Sequence, residues 1–271
     1  MARLSGKSAI VLGAAGHGNM GQVIARRFAA EGARVLVAGR HLPELQRLAS
    51  EIGGHAALCD ITNQPDLQDL AQTARDHFGN LSIAVNATGW GLLKPFLETT
   101  SEELAQMTAL QFTGPFQFCQ AVIPLMTEGS SIIQISSATA TIMLDDHAAY
   151  MGTKAGTDHV IRCVANTFGS RGIRANSISP GLTDTPMNAA AAQVPGLFDA
   201  FTASYPLGRI GTSADVAAAA VWLASDECYM TGDNLQINGG LTLRRNPDAA
   251  QIAASVGRAM AALSAPAAPA A

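Results

Sequence analysis

Short apolar runs rich in β-branched residues alternate along the chain with longer stretches of helical character, and this alternation limits the possible folds most strongly. The predicted strands are 8–12, 34–38, 56–58, 81–85, 131–135, 174–178 and 234–237. Helices are predicted between them, among others at 21–31, 43–52, 65–78 and 213–224. Strands that alternate with helices pair in parallel through crossover connections. The pattern therefore predicts an α/β fold with a doubly wound, mainly parallel seven-stranded sheet and helices on both faces, whose ligands bind at the carboxyl ends of the strands.

The composition excludes several classes of protein. The 271 residues carry a net charge of −4, so no basic footprint for nucleic acid or anionic lipid is present. No apolar run reaches the ~18 residues that a membrane helix needs. The four cysteines show neither a CxxC pair nor zinc-ligand spacing, which favours reduced thiols and a cytoplasmic location. Residues 1–245 are predicted to form one domain, and 246–271 a C-terminal extension that ends in a disordered Ala/Pro segment.

A glycine-rich turn, Gly-Ala-Ala-Gly-His-Gly-Asn-Met-Gly at 13–21, joins the first strand to the first helix. Glycines there allow a tight turn and a close approach to a pyrophosphate, whose charge the helix N-terminus meets. A glycine-rich string by itself is also typical of a flexible turn. Its position after the first strand and before a helix favours a dinucleotide site.

The end of the second strand indicates which dinucleotide is bound. An NAD enzyme needs a carboxylate there for the ribose 2′-hydroxyl, but this chain has Gly39, Arg40 and His41. A guanidinium suits a 2′-phosphate, and His17 in the glycine turn could add a second contact. NADP(H) is therefore the favoured cofactor; if Arg40 is only a solvated surface residue, NAD(H) remains possible.

Tyr150 and Lys154 are four residues apart, so on a helix their side chains share one face. A neighbouring ammonium stabilises a phenolate and lowers the pKa of the phenol, which general acid/base catalysis requires. Ser137 follows the fifth strand, where a hydroxyl can orient a carbonyl oxygen. A Tyr/Lys pair at this spacing is often an ordinary helix surface, but its place after the fifth strand and after Ser137 favours catalysis.

Taken together, these motifs resemble the short-chain dehydrogenase/reductase family. The resemblance covers 6–243 and follows the family order: the glycine turn, Asp60, the segment 86–89, Ser137 with the Tyr/Lys pair, and the segment 180–185. It implies a single-domain, Rossmann-like oxidoreductase. In such enzymes the nicotinamide gives a hydride to a carbonyl carbon while the tyrosine protonates the oxygen.

The resemblance also implies individual roles. Ser137 would hold the substrate oxygen, Tyr150 would transfer the proton, and Lys154 would bind the nicotinamide ribose and lower the tyrosine pKa. Asp60 would bind the adenine and Thr185 the carboxamide. The expected cofactor-binding residues are Gly13, Asn19, Met20, Gly21, Arg40, Asp60, Ile61, Asn86, Gly89, Tyr150, Lys154, Pro180, Gly181, Thr183 and Thr185.

Three features depart from the family pattern. The glycine turn is two residues longer, and Asn19 stands at the place of the middle glycine. Gln111 replaces an Asn that supports a water of the proton relay, and it either reaches that relay as a fourth catalytic residue or packs without a role. Ala87 and Thr88 replace an Asn-Ala pair, a change of structural significance only.

A mobile lid is expected at 188–205, over an apolar pocket for a hydrophobic ketone or secondary alcohol. The predicted pocket residues are Trp90, Thr139, Met143, His147, Leu182, Met187 and Phe201. No metal is expected, because Asp145, Asp146 and His147 are contiguous rather than spaced as ligands. The segment 232–240 resembles the family's last strand, which often lies at a subunit interface, and this favours a homo-oligomer, by analogy a tetramer.

The leading functional hypothesis is an NADPH-dependent reductase of small or medium hydrophobic ketones. An NAD-dependent secondary-alcohol dehydrogenase is the alternative within the same class. A non-catalytic protein that senses the nicotinamide redox state is the alternative from another class. The retained Ser137, Tyr150 and Lys154 argue against that last alternative.

Overall fold

A seven-stranded parallel sheet forms the centre of the protein, which we describe for residues 2–264 from a computed structural model. Its strand order is β3-β2-β1-β4-β5-β6-β9. The strands are β1 (Ser8–Leu12), β2 (Arg34–Gly39), β3 (His55–Leu58), β4 (Leu81–Asn86), β5 (Met126–Ile135), β6 (Arg174–Pro180) and β9 (Asn234–Ile237). Two short strands, β7 (Thr183–Asp184) and β8 (Gly211–Thr212), form a separate parallel pair beyond its carboxyl edge.

Helices cover both faces of the sheet, as expected for a doubly wound fold. They are α1 (Met20–Ala30), α2 (Leu42–Ile52), α3 (Gln64–Phe78), α4 (Ser101–Thr108), α5 (Gly114–Val122), α6 (Ala148–Phe168), α7 (Ala189–Ala192), α8 (Leu197–Thr202), α9 (Ser213–Ala224) and α10 (Ala249–Ser264). A π-helical turn at Ala109–Thr113 joins α4 to α5. Within residues 2–264, no helix is long and apolar enough to cross a membrane.

Successive side chains of the central strands enter two different cores. In β1, Val11 packs with α1 and α9, whereas Ile10 packs on the opposite face with α3, α5 and α6. This two-sided burial explains why the strands are continuous apolar runs rather than alternating ones. A third, smaller core around Phe201, Tyr205 and Leu241 lies beyond the carboxyl edge of the sheet.

The predicted strands are confirmed, with one substantial difference in length. β5 begins at Met126, where it pairs with Leu81, instead of at residue 131. The register shifts between Leu81 and Ile83, and Gly129 adopts a positive φ of 82°. Residues 127–129 are exposed and polar, so the apolar pattern did not reveal this part of the strand.

The reversal of strand order lies between β1 and β4, where Leu12 pairs with Asn86. Ligands of open α/β sheets bind outside the carboxyl ends of the strands at such a switch point. The C-terminal extension begins with α10, and the Ala/Pro end predicted to be disordered lies at 265–271, outside the described residues.

Candidate active site

The glycine turn lies at this switch point and packs against the turn after β4. A Cβ added to Gly13 would lie 2.6 Å from the carbonyl carbon of Ala87, and one on Gly21 would lie 2.6 Å from the oxygen of Gly13. Gly13 also has a φ of 99°, which side chains disfavour. Both glycines are therefore required for the backbone to pass this closely.

Asn19, at the place of the middle family glycine, has a structural role of its own. Its Oδ1 accepts a hydrogen bond from the Gln22 amide at 3.0 Å and caps α1, while its Nδ2 donates to the Gly13 oxygen at 2.8 Å. The same side chain thus closes the lengthened turn and satisfies a free amide of the helix N-terminus.

A groove of about 680 Å³ runs from the glycine turn to the ends of β2 and β3. Gly13, Asn19, Arg40, Asp60 and Ile61 line it. The Arg40 guanidinium lies 3.7 Å from Asp60 Oδ2 and is largely exposed. Partial burial opposes ionisation of Asp60, but hydrogen bonds from Thr62 and the nearby Arg40 hold its pKa below the usual range. This end of the groove therefore presents the exposed guanidinium of Arg40 and the ionised carboxylate of Asp60.

His17 lies away from this end of the groove. Its Nδ1 is 3.0 Å from Glu44 Oε1, and Arg47 donates to the same carboxylate at 2.7 Å. This arrangement therefore does not provide a second contact from His17 to a 2′-phosphate. The adjacent His41, by contrast, lines the groove beside Arg40.

The groove continues into a second cavity of about 150 Å³. The walls of this cavity include the predicted residues Met20, Gly89, Pro180, Gly181, Thr183 and Thr185. Close backbone passages at the glycine turn and a groove that continues into a second cavity suit an extended molecule, so the described residues fit a nicotinamide dinucleotide. Asn86 does not line either cavity; it is buried, where its Oδ1 accepts from the Thr88 amide at 3.0 Å and its Nδ2 donates to Gln134 at 2.9 Å.

Ser137, Tyr150 and Lys154 converge on the floor of the second cavity. Ser137 directly follows Ser136 at the end of β5, and its hydroxyl shares a 2.8 Å hydrogen bond with Thr139 Oγ1. Tyr150 and Lys154 lie in the first two turns of α6. The lysine Nζ is buried, donates to the Ile135 carbonyl at 2.8 Å and lies 5.6 Å from the centre of the tyrosine ring.

Burial dominates the titration of this pair in the ligand-free protein. It lowers the pKa of Lys154 to about 8, although the Asp158 carboxylate acts in the opposite direction. The pKa of Tyr150 is raised chiefly by burial; the hydrogen bond with the Ser137 hydroxyl opposes this shift, and the Asp158 carboxylate adds a smaller raising effect. Lys154 is not among the groups that shift this pKa, and desolvation of the phenolate is the largest effect. The lowering of the tyrosine pKa by Lys154 therefore stays a prediction.

Asp158 is a buried group that the sequence did not reveal. It lies one helical turn after Lys154, and its Oδ2 accepts from Ser136 Oγ at 2.8 Å and from Asn234 Nδ2 at 2.6 Å. Burial raises its pKa, while the neighbouring hydroxyls, Lys154 and Asn234 oppose that shift. A carboxylate on a helix is usually solvated, so only the packing of α6 against β5, β6 and β9 shows its position.

Gln111 lies near Lys154, beside Gly89. It lies in the π-helical turn, is 3% exposed, and its Nε2 donates to Met107 Sδ. Its Oε1 has no partner within residues 2–264. A Cβ added to Gly89 would lie 3.4 Å from this oxygen and 3.8 Å from Lys154 Nζ. The amide oxygen and the ammonium therefore face the same point above Gly89, where a water or a ligand hydroxyl would satisfy both.

A third cavity of about 570 Å³ opens on the other side of Ser137 and Tyr150. Five predicted pocket residues line it: Thr139, His147, Leu182, Met187 and Phe201. Two predictions are wrong. Trp90 lines the two dinucleotide cavities instead, and the Met143 side chain points outward, 68% exposed. Four lining residues that the sequence analysis did not single out, Asn246, Pro247, Ala249 and Ile252, belong to the C-terminal extension.

His147 is held firmly beside the tyrosine. Its ring stacks on that of Tyr150 with centroids 4.3 Å apart, and its Nδ1 donates to the Leu92 carbonyl at 2.7 Å. Asp146, before it, has a φ of 57°, and its carbonyl accepts from the Lys94 amide at 2.6 Å. Burial lowers the pKa of His147, so the imidazole is neutral at pH 7.

The dinucleotide cavities thus meet an apolar cavity at Ser137 and Tyr150, with Lys154 on the dinucleotide side. This arrangement defines a nicotinamide-dependent oxidoreductase that acts on CH–OH groups.

Comparison with known proteins supports the same assignment. Residues 13–242 match the family described as Enoyl-(Acyl carrier protein) reductase. The chain is 35% identical to D-threitol dehydrogenase of Mycolicibacterium smegmatis and 34% identical to 3beta-hydroxysteroid dehydrogenase 1 of Eggerthella lenta, each over 89% of this chain and 95% of the relative. A short-chain type dehydrogenase/reductase from Mycobacterium ulcerans superposes with a TM-score of 0.86 at 28% identity, covering 90% of this chain and 93% of that one. The chain belongs to the short-chain dehydrogenase/reductase family.

Proposed function

We propose that the protein reduces a hydrophobic ketone to a secondary alcohol with NADPH, in a reversible reaction. The observation that carries this proposal is the position of Ser137 and Tyr150, which line both the dinucleotide cavity and the apolar cavity. A carbonyl carbon placed between these cavities would face the cofactor on one side and the phenol on the other. The same groups serve the oxidation of an alcohol in the reverse direction.

The residues of this site have separable tasks in the proposed reaction. When bound, NADPH supplies the hydride that the carbonyl carbon receives. The Tyr150 hydroxyl gives its proton to the carbonyl oxygen, and the Ser137 hydroxyl, which Thr139 orients, donates a hydrogen bond to that oxygen. The Lys154 ammonium stabilises the phenolate that remains and would hold the nicotinamide ribose, and Gln111 would accept a hydrogen bond from a water or ligand hydroxyl beside Lys154.

The lining of the third cavity supports an apolar substrate. Beyond the catalytic groups its walls are mainly aliphatic and aromatic side chains, notably Leu144, Leu182, Leu197, Phe201, Leu241 and Ile252. One relative is named for a steroid and another for a sugar alcohol. The apolar walls favour a substrate nearer in character to the first of these.

The preference for NADPH rests on Arg40, whose guanidinium lies at the end of the groove. Arg40→Ala should weaken NADPH binding by at least about tenfold, because a charge-assisted hydrogen bond contributes roughly 1.5–3 kcal/mol, and should leave NADH binding unchanged. Fluorescence titration of both cofactors measures this, with the exposed Arg75→Ala as the matched control. Equal loss for both cofactors, or no loss, would contradict the assignment and favour NAD-dependent alcohol oxidation.

Turnover distinguishes the proposed enzyme from a protein that only senses the cofactor. A panel of aliphatic and cyclic ketones with NADPH should be reduced by the wild type and not by Tyr150→Phe, which keeps the ring but removes the transferable proton. A sensor would be favoured if the protein binds NADPH but neither reduces any ketone nor oxidises any alcohol with NADP or NAD.

We further propose that the protein works in the cytoplasm as a homo-oligomer, a tetramer by analogy with the family. Its four cysteines are all free thiols, three of them buried, which suits a reducing compartment. Among residues 2–264, no group of three or more His, Cys, Asp and Glu side chains is arranged to hold a metal ion. A small carbonyl or alcohol compound is the substrate partner, and neither nucleic acid nor membrane is proposed as one.

A further inference from the structure

The segment 246–264, which we call the strap, lies against the lid. One face of α10 carries its partly or fully buried residues at helical spacing: Ile252, Ser255, Val256 and Ala259. Ile252 packs on the small core formed by Phe201, Tyr205 and Leu241. The opposite face of the helix is exposed, so α10 is an amphipathic helix with its buried face turned to the lid.

Two fixed contacts hold the strap in place. The Asn246 side chain is 6% exposed and donates to the Met143 carbonyl at 2.9 Å, which ties the start of the strap to the loop after Ser137. Asp248 then begins the helix: its Oδ1 accepts from the Gln251 amide at 2.9 Å, and its own amide donates to Gln251 Oε1 at 3.0 Å. This reciprocal pair is a capping box, which fixes where the helix starts.

The strap and the lid touch through backbone atoms as well. Gly196, directly before α8, has a φ of 77°, and a Cβ there would lie 2.6 Å from the Ser255 oxygen and 2.9 Å from Ala259 Cβ. No side chain separates the two elements at this point. They therefore form one packed unit rather than two independent surface segments.

This unit forms part of the wall of the substrate cavity. Asn246, Pro247, Ala249 and Ile252 line the same cavity of about 570 Å³ that Ser137 and Tyr150 line. Phe201 of the lid lines it beside Ile252. The distance from the reacting carbon to the strap therefore limits how far a substituent of the substrate can extend.

We propose that the strap is the wall that determines substrate specificity, with Ile252 limiting the size of the apolar substituent on the ketone or alcohol carbon. This inference rests on the proposed carbonyl reduction and adds the part of the chain that selects the substrate. The preferred substrates are ketones with one small and one apolar substituent, the apolar one ending against Ile252.

The test compares Ile252→Ala and Ile252→Phe on a series of 2-alkanones of increasing chain length with NADPH. Ile252→Ala should raise kcat/KM for the longest alkanones relative to the shortest by about tenfold, and Ile252→Phe should lower the same ratio, because single methylene differences in an apolar pocket reach that size. Met260→Ala, on the exposed end of α10, is the matched control and should leave the ratio unchanged. An unchanged ratio in both Ile252 variants would overturn the proposal.

Binding gives an independent readout of the same wall. The thermal shift of the NADPH-loaded protein with each alkanone should show the same reordering by chain length in the Ile252 variants. In one outcome, the wild type reduces no alkanone while the Ile252 variants still change the order of the thermal shifts. That result would contradict the proposed carbonyl reduction and support the proposed role of the strap. If the wild type reduces alkanones but neither the kcat/KM ratio nor the thermal shift responds to the Ile252 substitutions, the proposed role of the strap is contradicted and the proposed reaction is supported.

Deletion of 246–271, which removes the whole strap together with the cavity residues it carries, tests the packed unit. Hydrogen exchange of the α8 amides should accelerate at least about tenfold, while β1 and β4 remain protected. Unchanged exchange in α8 would contradict the contact between strap and lid. Should the deletion variant fail to fold, Asn246→Ala, which removes only the bond to Met143, provides the same comparison.

Discussion

At the scale of single residues, the environment of Tyr150 and Lys154 differs from what their spacing alone suggests. The spacing predicts an ammonium that lowers the pKa of the phenol. Both groups are desolvated, however, and burial shifts each pKa toward the neutral form: it raises that of Tyr150 and lowers that of Lys154 to about 8. The Ile135 carbonyl accepts a hydrogen bond from the ammonium, and Asp158 supplies a nearby negative charge. These two groups keep a buried lysine charged near neutral pH.

The pH dependence of carbonyl reduction should follow from this balance. The pKa of Lys154 is lowered to about 8, so its cation is present below that pH and is lost as the pH rises through it. The pKa of Tyr150 is raised, so its proton is retained over the same range. We therefore expect kcat/KM for reduction to fall with rising pH, with a midpoint near 8.

Lys154→Arg tests the origin of that fall. Arginine remains protonated throughout, so the variant, although slower, should keep a flat profile up to the higher pH at which Tyr150 ionises. A decrease near pH 8 in both proteins would assign it to a group other than Lys154. Steady-state rates with saturating NADPH and low ketone, from pH 6 to about pH 10, provide the measurement.

His147 is predicted to position the loop that forms one side of the substrate cavity. His147→Phe would keep the stacking on Tyr150 but would leave the buried Leu92 carbonyl without its donor, at a cost of roughly 1–3 kcal/mol. We expect kcat/KM for the ketone to fall about tenfold while the Kd for NADPH is unchanged. The exposed His159→Phe, on the same helix, is the control. An equal effect of both substitutions would show that His147 has no specific role.

At the scale of elements, the sheet could be predicted and the substrate wall could not. The central strands contain runs with apolar residues on both faces, and β9 alternates apolar and polar residues, so composition and spacing revealed all seven strands. The strap is rich in alanine and has only one large buried side chain toward the cavity, Ile252. Its contribution depends on where α8 lies, which no local pattern encodes. The Asp-x-x-Gln pair at 248–251 was the only local signal that a helix begins there.

The catalytic residues divide in the same way. Ser137, Tyr150 and Lys154 occur in a recognisable order and lie together as expected. Trp90 and Met143 were misplaced because adjacency to a motif does not fix the side of the loop on which a side chain lies. Asp158 was missed because its burial results from three strands meeting under one helix.

Because the lid and the strap are in close contact, alanine substitutions at Gly196 and at Gly257 should affect stability differently. Gly196→Ala would place a Cβ 2.6 Å from the Ser255 oxygen at a positive φ, so the two elements must separate. We expect the free energy of unfolding to fall by about 1–3 kcal/mol and kcat/KM for a long alkanone to change. Gly257→Ala, on α10 with no neighbour within 4 Å, is the matched control and should be neutral or stabilising, since alanine favours helix. Urea unfolding measures both, and equal stabilities would contradict the close contact.

At the scale of the whole molecule, one face of the described chain exposes aromatic side chains beside open glycines. Phe112 and Phe116 are 37% and 47% exposed. Phe112 packs over Gly156, where a Cβ would lie 3.2 Å from its ring, and Gly152 has no neighbour within 4 Å. Exposed aromatic side chains around a flat helical surface are typical of a contact between subunits. The chain's low fraction of charged residues, 14%, is consistent with surface that becomes buried on assembly.

Gly152→Arg should therefore prevent assembly at this face without disturbing the isolated fold. Gly152 lies in α6 one turn before Gly156, over which Phe112 packs, and the arginine has open space in the monomer but none against an apposed helix. Sedimentation velocity should show an oligomer for the wild type and for Gln72→Arg, an exposed substitution on α3, but a smaller species for Gly152→Arg. Circular dichroism of the variant should match that of the wild type, which separates lost assembly from unfolding. An oligomer of unchanged size in Gly152→Arg would exclude this face as an interface, and a monomeric wild type would contradict assembly altogether.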